Sequence, residues 1–213
     1  PRDGTLWASL DHGHWGPKLS RSRDSGTTWE DVLSLKYPEG ARYIVKYLPG
    51  PDFDPEAPVG QPEYKDATVF KIWNLAFGTA GQPGRLYAGT IPGGLFVSND
   101  GGDNWELNRP LWNHESRGGD LFAGEATSEN RWSGTPASID YGVFEPGIHS
   151  IVIDPRDPLH MHVAVSSAGV LETTDGGQSW TGRNRGMLND YMPNPEAEGG
   201  HDPHFVTGCP GQP

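Results

Sequence analysis

The residues best suited to chemistry in this chain are histidines that stand near carboxylates and tryptophans. His12, His14 and Trp15 belong to Asp11-His12-Gly13-His14-Trp15-Gly16, and His201, Asp202 and His204 to Gly200-His201-Asp202-Pro203-His204. Glu145 shortly precedes His149, and Trp73 lies in the apolar run Ile72 to Phe77. An imidazole beside a carboxylate can move a proton near neutral pH or hydrogen-bond a polyhydroxylated ligand, and an indole can stack on a sugar ring. Imidazoles also ligate metals. No His-x-x-x-His helix pattern or Cys/His cluster supports that chemistry here, so neither metal nor cofactor is expected.

Scattered as they are, these residues need a repeating scaffold to bring them together, and the sequence contains one. Three segments fit Ser/Thr-x-Asp-x-Gly-x-x-Trp: Ser22, Asp24, Gly26 and Trp29; Ser98, Asp100, Gly102 and Trp105; and Thr173, Asp175, Gly177 and Trp180. Their aspartates are 76 and 75 residues apart. The carboxylate can accept backbone N–H bonds across a turn, the glycine allows positive φ, the hydroxyl adds a local bond, and the tryptophan covers the turn.

The flanks repeat as well. Gly147 to Asp154, His160 to Ser166 and Gly169 to Thr173 read as short strands broken by turn residues, and Ile72 to Phe77, Leu86 to Gly89 and Gly94 to Val97 form a matching set. Each unit thus reads as four strands, a to d, with the Ser/Thr-x-Asp turn between c and d. Such units bury their faces only against one another, which predicts an all-β propeller of four-stranded blades, with about three blades present as an open, partial propeller. The blades are placed at about 1–36, 71–110 and 147–186, with the start of a fourth at about 203–213, all in one partial domain covering 1–213. Because the pattern starts after strand a and stops in a new one, the chain is read as a piece whose partners include the remaining blades.

Strand order then fixes the ends. The a–b and c–d turns share one end of every blade, and the b–c and d–a connections share the other. All the chemistry-bearing residues named above fall at the second end, and aligning the innermost strands sets Trp73, His149 and His204 in register. The expected ligand-binding set is therefore His12, His14, Trp15, Trp73, Glu145, His149, His201, Asp202 and His204, with the twelve turn residues structural and the catalytic residues unknown. A plug of polar side chains filling the channel is the alternative use of the same cluster.

Composition narrows the partners. With 28 acidic and 16 basic residues the net charge is −12, which disfavours phosphate backbones and anionic lipid surfaces, so no nucleic acid and no membrane is expected. No apolar run reaches the roughly 18 to 20 residues of a membrane span. The lone Cys209 forms no internal disulfide, so the fold does not depend on an oxidising compartment; the location stays unknown, with a soluble, cytoplasmic protein favoured.

The segments Asp11 to Ser22, Leu86 to Glu106, Glu145 to Pro158 and Gly200 to His204 resemble bacterial BNR/Asp-box sialidase-like propellers, often labelled glycosyl hydrolases or exo-α-sialidases. The resemblance implies a small polar ligand such as a carbohydrate, with exo-sialidase-like glycoside hydrolysis or a protein-interaction scaffold as alternatives. A sialidase would also bring an arginine triad and a Tyr nucleophile assisted by Glu. The inner-strand positions here carry Trp73, His149 and His204 instead, so no catalytic residue transfers.

Overall fold

The computed structural model describes residues 3–11, 13–32, 35–46, 63–117, 146–166, 168–188 and 201–209. His12 and Glu145 lie outside the described residues. Strands β1 (Leu6–Asp11), β2 (Pro17–Ser22) and β3 (Glu30–Val32) form one antiparallel sheet in chain order. Strands β6 (Lys71–Phe77), β7 (Leu86–Ile91), β8 (Leu95–Ser98) and β9 (Glu106–Leu107) form the second, and β10 (Ile148–Ile153), β11 (Met161–Val165), β12 (Gly169–Thr173) and β13 (Thr181–Gly182) the third. Each is an up-and-down meander, the pattern of a propeller blade.

The apolar residues explain why the sheets stack. Strand β7 is buried along its whole length, as a middle strand covered on both faces must be. Tyr87 and Leu95 of the second blade and Leu111 beyond it pack with Ile148, Met161, Val163, Val165 and Leu171 of the third. Leu19 of the first packs with Ile72, Ala88 and Phe96 of the second. The cores therefore lie between blades rather than within them, and the described residues form part of an all-β propeller. Strands β7 and β10 of the two blades approach closely because a glycine permits it: a Cβ on Gly89 would come within 2.8 Å of the Ile148 side chain.

The three repeat turns share the same bonds around the hydroxyl, the aspartate and the glycine. The Ser or Thr hydroxyl donates to the first Asp oxygen (Ser22 to Asp24, 2.7 Å; Ser98 to Asp100, 2.8 Å; Thr173 to Asp175, 2.7 Å) and accepts from the glycine N–H (Gly26, 2.8 Å; Gly102, 2.8 Å; Gly177, 2.9 Å). The same Asp oxygen accepts the N–H of Thr28, Asn104 or Ser179, whose side chain donates to the second oxygen at 2.6, 2.7 and 2.6 Å. These donors hold Asp24 and Asp100 at about 2, and Asp175 also well below the usual carboxylate value. A lowered folded-state pKa stabilises the fold above pH 3.8 and loses that stabilisation as pH falls toward 2. Melting temperature should accordingly drop between pH 4 and 2, and Asp100→Asn should flatten the drop; an unchanged profile contradicts this role.

The second and third turns also lean on the blade before them. Trp180 is buried and its Nε1 donates to Asn108 Oδ1 at 3.1 Å, while Trp105 meets Trp7 edge to face at 6.4 Å. Trp29 has no described blade before it and is 48% exposed.

Three features differ from the sequence reading. The connection from Leu33 to Lys71 contains a two-stranded sheet, β4 (Arg42–Lys46) with β5 (Glu63–Asp66), where only loop was expected. A short helix, α1 (Arg109–Trp112), follows the second blade, with Asn108 Oδ1 accepting the Leu111 N–H and Pro110 in its first turn. Its Trp112 is fully buried with Ala41, beside Tyr43 and Tyr64 at the small sheet. Residues 203–208, expected as a strand, form no regular strand. They nevertheless run against the inner strand β10 of the third blade, where Ser150 Oγ donates to the Val206 carbonyl at 3.0 Å.

Candidate functional site

The two ends of the blades are defined by their turns. Gly101 N–H donates to Gly84 O at 2.9 Å and Gly176 N–H to Leu159 O at 2.9 Å, so the a–b and c–d turns meet at one end. The other end carries the b–c loops and the starts of the inner strands. Trp73 sits near the start of β6 and His149 near the start of β10, each beside a bulge in the pairing with the next strand.

At this end three rings from separate parts of the chain stack in series. The Trp73 and His149 rings lie 4.0 Å apart, and those of His149 and His204 lie 4.6 Å apart and nearly parallel. Lys71 Nζ stands 5.3 Å from the Trp73 ring, a cation–π distance. Gly147 makes room: a Cβ there would meet Ile91 at 2.8 Å and Trp73 at 3.0 Å. Polar groups frame the stack. Ser166 Oγ is 3.1 Å from His149 Nε2, and Asp202 Oδ2 is 3.4 Å from His204 Nε2. Trp73 is 43% exposed, so its indole reaches solvent while His149 is half-buried.

Electrostatics set the protonation of the middle ring. Burial, and then the neighbouring His204, lower the His149 pKa from 6.5, with Asp202 opposing. His149 is therefore neutral at pH 7. Below pH 6.5 the unfolded chain takes the proton more readily than the folded one, so this group lowers stability as pH falls through 6.5 toward its folded value. His149→Gln should shallow the decline of melting temperature between pH 7 and 5; an identical slope contradicts the assignment.

The remaining expected residues behave differently. His14 and Trp15 form an edge-to-face pair at 5.1 Å, both exposed, in the loop between β1 and β2 at the same end of the blades. His201 is buried rather than presented to solvent: its Nε2 lies 2.6 Å from the Met187 carbonyl. Its Nδ1 is buried without a hydrogen-bond partner. Ser166 and Lys71 join the site without having been singled out. Their signal was position alone, Ser166 at the head of a b–c loop and Lys71 two residues before Trp73 on the same strand face.

No family model matches the chain, and no curated protein sequence matches it. Among solved structures it is similar to the GH74 enzyme of Niastella koreensis (TM-score 0.45, 18% identity, covering 84% of this chain and 20% of that one). It is also similar to a peptide-bound YCF48 (TM-score 0.31, 17% identity, 84% and 49%) and to the GH74 xyloglucanase from Xanthomonas campestris (TM-score 0.31, 17% identity, 85% and 28%). The chain spans between a fifth and a half of the length of these structures.

Proposed function

We propose that this chain is part of a carbohydrate-binding Asp-box propeller of the sialidase-like kind, taking a neutral sugar ring at the end of the blades where Trp73, His149 and His204 meet. The observation that supports it is the three-ring stack, assembled from three separate stretches of chain and open to solvent at Trp73 and His204. An apolar ring face flanked by a few fixed polar groups is the composition of a sugar subsite. Here the imidazole nitrogens, the Ser166 hydroxyl and the Asp202 carboxylate supply donors and acceptors for hydroxyl groups. A site for an anionic sugar calls for arginines, and the in-register inner-strand positions carry aromatic and imidazole rings instead.

The reading is one of binding. Glycosidic hydrolysis by two carboxylates needs a pair at a defined separation, and among the described residues the stack has Asp202 beside it. The test is a panel of neutral and acidic mono- and oligosaccharides titrated against the chain by calorimetry, alongside chromogenic glycosides. Saturable binding of a neutral sugar without turnover is expected. Turnover moves the assignment to a glycosidase, and absence of binding across the panel overturns it.

A further inference from the structure

A second constellation lies at the opposite end of the third blade, beside its repeat turn. His160 immediately precedes β11 and His162 lies within it, so the two alternate residues direct their rings to the same face. Glu172 of β12 is the cross-strand partner of His162. One carboxylate oxygen, Glu172 Oε1, faces both imidazoles: it is 2.8 Å from His160 Nε2 and 3.2 Å from His162 Nε2. One ligand atom from each of the three residues lies within 4.8 Å of the others. From these contacts we propose that His160, His162 and Glu172 form a divalent transition-metal site of the zinc type.

The geometry suits such an ion. Ligands about 2.0–2.1 Å from a tetrahedral zinc stand roughly 3.3 Å from one another. The two Glu–His separations, 2.8 and 3.2 Å, lie just inside that spacing, so a small outward shift of the rings would seat the ion. Two neutral imidazoles and one carboxylate are borderline ligands of the kind zinc accepts, rather than the all-oxygen shell of calcium or magnesium. Three protein ligands leave a fourth position open to water.

The surroundings also fix the ligands in place. The second oxygen of Glu172 accepts from Arg183 Nε at 2.6 Å, which orients the carboxylate and leaves Oε1 pointing at the imidazoles. Asp154 Oδ2 stands 3.9 Å from His160 Nδ1, on the side of the ring away from the site, where a carboxylate commonly steadies a ligating histidine. Asp154 is itself held by Arg156. The glutamate side chain is 13% exposed and the histidines about a third, so the donors are sheltered yet reachable. The sequence holds only the His-x-His half of this pattern; Glu172 joins it through the register of β11 and β12.

The chain should bind one equivalent of Zn2+ in competition with a chromogenic chelator. His160→Gln and Glu172→Gln should each weaken that affinity tenfold or more with the far-ultraviolet dichroism unchanged. Cys209→Ser should leave it intact, showing that the exposed thiol is not the ligand. Where a variant loses its dichroism, Co2+ added to the unaltered chain decides. Intense visible bands of four- or five-coordinate cobalt are expected, and the faint bands of octahedral cobalt would overturn the site. So would no stoichiometric zinc binding, or an affinity in both variants unchanged from that of the unaltered chain.

Discussion

Gly102→Ala should destabilise the fold by about 2–4 kcal/mol, the sum of backbone strain and overpacking. Gly102 has φ +90°, where an L side chain is strained, and an added Cβ would lie 2.2 Å from Trp7 Cη2 of the preceding blade. Gly26 provides the control. It occupies the equivalent turn position at φ +89°, but the nearest atom to its added Cβ is Leu6 Cδ1 at 3.6 Å. Gly26→Ala should therefore cost only the backbone share, about 1–2 kcal/mol. Denaturant midpoints of the two variants would report the difference as the blade-to-blade contact. Equal losses would mean that the turns do not brace neighbouring blades.

Trp73→Ala should weaken sugar binding by about thirtyfold, corresponding to roughly 2 kcal/mol for an aromatic anchor. The fold should survive, because the indole is 43% exposed and lies outside the apolar clusters between the blades. Calorimetric titration of the variant, with its melting curve, separates two roles for the stack. Lost affinity with a retained melt supports a ligand site. Retained affinity with a large fall in melting temperature makes the rings an inter-blade plug.

Much of the scaffold was legible because the repeat turn appears three times with the same internal spacing, and only a turn with those bonds needs a hydroxyl, an aspartate and a glycine together. One member escaped notice. The residue preceding the tryptophan is Thr28, Asn104 or Ser179, three types with one shared ability to donate to the second Asp oxygen, and identity alone hides that. Helix α1 was not legible because four residues are too few to show a period, and its formation rests on the Asn108 cap and Pro110. The β4–β5 pair lies in the Pro-rich connection, where a long stretch containing several Pro and Gly residues separates two short runs and hides their pairing.

For the site, strand register placed Trp73 beside His149, since equivalent positions on the inner strands of successive blades are neighbours, whereas His204 meets His149 from a segment that forms no regular strand. His201 went the other way. Its ring is captured by the Met187 carbonyl, and that contact depends on the path of the chain after β13, which no local pattern encodes. The His160, His162 and Glu172 group was invisible without cross-strand pairing, because Glu172 is brought opposite His162 only by the antiparallel register of β11 and β12.

The most direct test of the proposed sugar site is the set of histidine side-chain NMR signals recorded while a neutral oligosaccharide is titrated in. The account predicts that the imidazole resonances of His149 and His204 shift together and saturate with the calorimetric affinity, while those of His160 and His162 at the far end of the blade stay fixed. Binding that leaves His149 and His204 unmoved would contradict it.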